Sequence, residues 1–164
     1  MIMSAHSASR INTSLEINGG RKYLEVGLAK GTTFMEVVAD FRVGVDPRLR
    51  FSSTSSASTL FEMKSDEFWA KADGLGPFDT IFLDGFHSFE QTYRDLVCAL
   101  DFLKPGGALL LDDTRPSDPF GSLPSHAEAI RFREMVGLQG RGWQGDVYKV
   151  VAMIHDFHPH LQYR

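Results

Sequence analysis

Cysteine is nearly missing from this chain: Cys98 is the only one among 164 residues. A lone cysteine excludes an internal disulfide framework and fits a reducing compartment. Long apolar runs are missing too. No stretch approaches the roughly 20 apolar residues that span a bilayer as a helix, and the opening MIMSAHSASR lacks the apolar core of a secretory signal. Charge of one sign is not in excess. The net charge is −4 and the pI is near 5.8, so there is no electrostatic footprint for nucleic acid or an anionic membrane. No internal repeat is visible. What is present is an ordinary globular composition, 43% hydrophobic and 23% charged. The length suits one domain over 1–164 with enough chain for a real core. A soluble cytoplasmic domain is the expectation.

Short apolar runs alternate with helical patterns, which predicts βαβ units and a parallel sheet. Strands are expected at Tyr23–Val26, Phe41–Val45, Leu60–Lys64, Thr80–Leu83 and Ala108–Leu111. The last two are unbroken apolar runs, as suits strands covered on both faces. Helices are expected at Gly31–Ala39, Asp66–Ala72, Phe89–Leu103, Ser125–Val136 and Asp146–His155, and Ile11 and Leu15 hint at another before Asn18–Gly19–Gly20. The helix from Phe89 is the clearest. Phe89, Tyr93, Leu96, Val97, Leu100 and Leu103 form its apolar stripe. Ser88 and Gln91 have capping-box spacing, and Lys104–Pro105–Gly106–Gly107 is expected to stop it. Residues 52–59 (SSTSSAST) and 116–125 (PSDPFGSLPS) read as loops.

Ligands of an open parallel sheet bind beyond the carboxyl ends of its strands. Carboxylates fall at several of those ends: Glu25 in the first strand, Asp46 after the second, Asp84 after Leu83, and Asp112–Asp113 after Leu111. A buried carboxylate is costly without a partner, so this placement points to a site at the strand tips. The first βα turn, EVGLAKG, is neither GxGxxG nor GxxxxGK[ST], the two patterns that serve phosphates. An acid beside glycines suits a ligand with a cationic group. Asp46 follows Glu25 at close to the spacing at which an acid grasps ribose hydroxyls. An adenosine ligand with a positive amine and no pyrophosphate fits; S-adenosylmethionine is one.

The stretches YLEVGLAKGTT, VGVDP, FDTIFLDGFHSFEQTYRDL and LKPGGALLLDDT resemble, in order, the class I S-adenosylmethionine-dependent methyltransferases. They cover about Tyr23 to Thr114. DGFHSFE is similar to the DG-x-HSYE pattern of a subgroup with metal-dependent O-methyltransferases, including enzymes acting on macrolide sugar hydroxyls. The resemblance implies a Rossmann-like, doubly wound α/β fold, its mostly parallel sheet carrying helices on both faces. It implies that Glu25, Gly27 and Gly31 line the methionine end of the cofactor, that Asp46 binds the ribose, and that Ser65 and Asp66 lie near the adenine. It implies that Asp84, Asp112 and Asp113 hold a divalent metal such as Mg²⁺, and that His87 is the general base. The substrate is then a small molecule, a sugar or glycosylated metabolite being suggested by the subgroup. The family's sheet has seven strands, and here the chain stops near the start of a sixth; a truncated chain lacking the C-terminal strands is expected. A homo-oligomer would cover the edge so left.

Chemically, a divalent ion lowers the pKa of a bound hydroxyl, and a histidine can take its proton. Adjacent strand residues face opposite ways, so Asp112 and Asp113 can both ligate only if the second lies in the turn past the strand. Plainer readings stand beside these. Asp84–Gly85 and Asp112–Asp113 could be turns, Ser65 a helix cap, and Glu25 a partner of Lys30 or Arg21. His155, His158 and His160 read as surface histidines, Phe68 and Trp69 as core, and Cys98 as packing. Trp143 and Phe120 could shape a pocket or merely pack. Two other functions stay open: a nicotinamide-dependent oxidoreductase on a similar sheet, against which the glycine pattern counts, and a non-catalytic domain that keeps the fold for association.

Overall fold

The computed structural model describes residues 2–52 and 56–163. Their elements run α1 (Ile2–Asn18), β1 (Lys22–Val26), α2 (Thr32–Glu36), β2 (Phe41–Asp46), β3 (Ser58–Glu62), α3 (Ser65–Trp69), β4 (Phe78–Leu83), α4 (Phe89–Phe102), β5 (Leu103–Leu111), α5 (His126–Met135) and α6 (Lys149–Phe157). No described helix is long and apolar enough to cross a membrane. The chain divides into two compact units. One runs through Gly85 and resumes from Asp95 to Leu111; the other takes Phe86–Arg94 and the chain from Asp112 onward.

The first unit holds a five-stranded sheet in the order β3-β2-β1-β4-β5, with every pairing parallel. That is the doubly wound order, whose strand sequence reverses at β1 and β4. Strand alternation assigns its faces. Tyr23, Glu25, Thr80 and Phe82 share one face by register. Ala8, Ile11 and Leu15 of α1 and Phe34 of α2 cluster with Tyr23 and Phe82 there. Val26, Val45 and Phe61 share the other face, where Phe61 meets Phe68 of α3 (ring centroids 5.4 Å apart). Trp69 joins Phe102 of α4 at 5.5 Å. Helices therefore flank both faces, as expected, and Phe68 and Trp69 are core.

Several boundaries moved for visible reasons. The expected helix to Ala39 stops at Glu36 because Asn12 captures its end: its side chain donates to the Glu36 carbonyl and accepts from the Val38 amide. The strand expected from Ala108 starts at Leu103, passing through the Lys-Pro-Gly-Gly segment. Lys104 Nζ is tied there to Asp79 Oδ1 at 2.9 Å, and Asp79 Oδ2 also accepts from the Arg21 and Lys22 amides. Asp95 of α4 is buried, accepting from Trp69 Nε1 at 2.8 Å, while Val97 of the expected stripe is exposed. The hinted N-terminal helix runs to Asn18 with Ile11 and Leu15 buried. Residues 53–55 of the serine-threonine loop lie outside the described residues.

In the second unit, Ser125 caps α5 by accepting from the Glu128 amide. Arg133 of α5, 2% exposed, grips Asp118 with two bonds of 2.9 Å. The guanidinium holds the Asp118 carboxyl below its usual range and so orders the 116–125 loop. The last helix starts at Lys149 rather than Asp146, because Asp146 is spent on another cap: its Oδ1 accepts from the Phe89 amide at 2.7 Å. His155 and His158 bond to the hydroxyls of Tyr163 and Tyr93.

Candidate functional site

The β1–α2 turn of the first unit is built on left-handed backbone. Gly27, Ala29 and Gly31 have φ of 91°, 45° and 72°. Only glycine fits at 27: a Cβ there would run into the carbonyl of Asp84, since the ends of β1 and β4 close on each other. The Asp84 amide donates to Val26 O at 2.8 Å, extending that ladder past Leu83. At Gly31 a Cβ would meet the Phe51 ring instead, so this glycine also serves packing.

Asp46 ends β2 and shapes the same turn. Its Oδ2 accepts from the amides of Leu28 and Ala29 at 2.9 and 3.0 Å, and its Oδ1 from Arg48 at 2.7 Å. Ser65 and Asp66 open α3, just beyond β3. Lys64 holds the cap position, so Ser65 is not the cap.

Glu25 is 1% exposed on the α1 face of β1. Its partner is neither Lys30 nor Arg21, whose guanidinium pairs with Asp40. Tyr23 Oη donates to its Oε2 at 2.6 Å. Burial is the main cause pushing its pKa up to about 8, with Asp84 adding to the rise and the Tyr23 bond opposing it. A carboxyl that keeps its proton to a higher pH folded than unfolded stabilises the fold most when both states are protonated. Stability should therefore fall as pH rises from about 4.5 to about 8. Glu25→Gln should flatten that decline, measured as urea midpoints across this window. An unchanged slope would show that Glu25 does not titrate as its burial requires.

In the second unit, Asp112 and Asp113 both lie past the end of β5. Asp113 has φ 56°, a left-handed conformation uncommon outside glycine. Asp112 Oδ1 accepts its amide at 3.0 Å, and its side chain is 13% exposed. Its Oδ2 lies 3.0 Å from Nε2 of His87. The other ring nitrogen, Nδ1, is 3.0 Å from the carbonyl oxygen of Trp143. Both ring nitrogens thus face oxygens. A carbonyl only accepts, so Nδ1 carries hydrogen, and Nε2 needs either a second hydrogen or a cation shared with Asp113. Cis ligands of an octahedral ion at about 2.1 Å stand roughly 3.0 Å apart. The pair has that spacing and a hard-ligand carboxylate, so it fits a divalent ion. The left-handed turn beside a buried acid likewise fits a ligand that brings a positive charge.

The sequence reading missed three participants. Tyr23 carried no signal beyond being an aromatic two residues before Glu25. Asp146 looked like a helix start. The Trp143 contribution is its backbone carbonyl, which no residue pattern reveals.

Residues 6–114 match the family described as "Methyltransferase domain". No curated protein sequence matches the chain. Among solved structures, the O-methyltransferase from Bacillus cereus in complex with SAH is similar at 16% identity and TM-score 0.54, covering 79% of this chain and 68% of its own. TomG, the O-methyltransferase from Streptomyces achromogenes involved in tomaymycin synthesis, in complex with SAM, gives 16% and 0.54, with 81% and 68% covered. MycE methyltransferase from the mycinamycin biosynthetic pathway, in complex with Mg and SAH, gives 13% and 0.57; 98% of this chain matches 42% of that one.

Proposed function

Because this chain belongs to the methyltransferase-domain family, we propose that it moves the methyl group of S-adenosylmethionine to a hydroxyl oxygen of a small molecule, assisted by a divalent metal, Mg²⁺. The observation that carries this reading is the row of acids at successive strand tips. Glu25 lies in β1, Asp46 ends β2, Asp84 follows β4, and Asp112 and Asp113 follow β5.

Glu25, Gly27 and Gly31 would line the methionine end of the cofactor, where the buried acid meets its positive charge. Asp46 reaches the ribose hydroxyls while holding the turn, since a carboxylate has about four acceptor positions. Ser65 and Asp66 take the adenine side. When bound, the sulfonium supplies an electrophilic methyl group, which the protein needs mainly to align. Asp84, Asp112 and Asp113 would hold the metal, which supplies a lowered pKa at a bound hydroxyl. With Nδ1 hydrogen-bonded to the Trp143 carbonyl, Nε2 of His87 would take the hydroxyl proton and then donate it to Asp113 Oδ2, 3.0 Å away. A second role for His87 is favoured by its 3.0 Å approach to Asp113, namely Nε2 as a ligand beside that carboxylate. The resemblance of DGFHSFE to the pattern of sugar O-methylating enzymes favours a sugar hydroxyl as acceptor. Saturable binding of S-adenosylhomocysteine to the folded chain is the outcome that tests the reading; a folded chain that does not bind it contradicts it.

A further inference from the structure

We infer that Trp143 is the positioning residue for His87, which rests on the reading that His87 works at Nε2, as base or as ligand. The carbonyl of Trp143 faces Nδ1 at 3.0 Å. An acceptor there fixes the hydrogen on Nδ1 and turns Nε2 toward the Asp113 carboxylate. Histidines that handle protons or metals need their second nitrogen set in this way. The indole of the same residue stacks on the His87 ring, with centroids 5.3 Å apart and planes 29° from parallel. One residue thus sets both the tautomer and the plane of the ring.

Trp143 is itself held in place. Its Nε1 donates to the Leu123 carbonyl at 2.7 Å, and its indole also stacks with His126 at 5.3 Å. The residues after it grip the same stretch of chain. Gly145, at φ 61°, passes so close that a Cβ would run into the carbonyl oxygen of His87. Asp146 accepts the Phe89 amide at 2.7 Å. The 143–146 segment therefore fixes the His87 ring, its carbonyl, and the start of the helix behind it. A loop that only filled space would have no reason to meet a ring nitrogen with a carbonyl.

Long-range ¹H–¹⁵N correlation spectra of the histidine rings read the tautomer directly. The expected unmodified spectrum has Nδ1 of His87 protonated; a ring protonated only at Nε2 overturns the inference without any variant. Trp143→Ala removes the stack and the anchor to Leu123. It should give mixed tautomers and a kcat lower by about 100-fold, with KM for S-adenosylmethionine unchanged. Trp143→Phe keeps a stacking ring and should restore both the spectrum and most of kcat. A Trp143→Ala protein with the original ring pattern and kcat overturns the inference. Should Trp143→Ala fail to fold, Trp143→Phe decides: a retained Nδ1 pattern supports the inference, and a lost one overturns it. Failure of the underlying reading looks different. Full turnover in His87→Gln would remove the role of His87, with the ring pattern of the unmodified protein unaffected.

Discussion

The Asp113→Ala variant is expected to lose methyl transfer by roughly 1,000-fold, the scale on which a positioned acid–base or metal-holding group contributes, while binding S-adenosylhomocysteine as before. The separation follows from the architecture. The residues proposed for the cofactor lie in the first unit, at the β1 and β2 tips and the start of α3, and Asp113 lies beyond β5 with its Oδ2 against His87. Asp113→Asn keeps the shape and the left-handed turn but removes the charge, and should be nearly as inactive. Excess chelator should reproduce the loss in the unmodified protein, and Mg²⁺ should reverse it. Full activity in chelator, or in Asp113→Asn, would contradict the metal-assisted reading. Loss of S-adenosylhomocysteine binding along with activity would mean that Asp113 supports the cofactor rather than the metal.

Gly27→Ala is expected to cost about 3 kcal/mol of stability or more. Two effects add. A side chain at φ 91° is strained by about 1–3 kcal/mol, and the new Cβ meets backbone, which relaxes less easily than a side chain. The atoms it meets are the Asp84 carbonyl and the Gly85 Cα, so relief requires parting the ends of β1 and β4. The urea midpoint should fall sharply, and cofactor affinity should fall with it, even under conditions where the variant is folded. A midpoint within error of the parent would mean that the two strand ends are not closed on each other. Gly31→Ala should be milder, because its obstacle is the Phe51 side chain rather than backbone.

The contrast between these two positions shows how far a sequence can be read. Gly27 and Gly31 of the first βα turn were read as lining a ligand, and both have left-handed backbone. Their nearest neighbours are nonetheless protein atoms, the Asp84 carbonyl at Gly27 and Phe51 at Gly31. Composition says that a Cβ is unwelcome but not what it would strike. The centre of the sheet was legible because β1 and β4 are buried on both faces and read as apolar runs between turns. Its order, with β1 and β4 adjacent across a long gap in sequence, needed the structure. That Asp84 and His87 share one strand-to-helix turn was legible, because their spacing is local. The partners of His87 were not. Asp113 comes from beyond the next strand and Trp143 from 56 residues away. A backbone carbonyl has no residue type at all. Asp146 was misread as a helix start for the same reason, since the helix it caps begins at Phe89.

Isothermal titration of the folded chain with S-adenosylhomocysteine tests the central claim most directly. It needs no knowledge of the methyl acceptor. The account predicts saturable binding at one site per chain, weakened in Asp46→Ala, where the acid that organises the β1–α2 turn is gone, and retained in Asp113→Asn. A protein that is folded by its circular dichroism and shows no heat of binding would contradict the claim that this site takes S-adenosylmethionine.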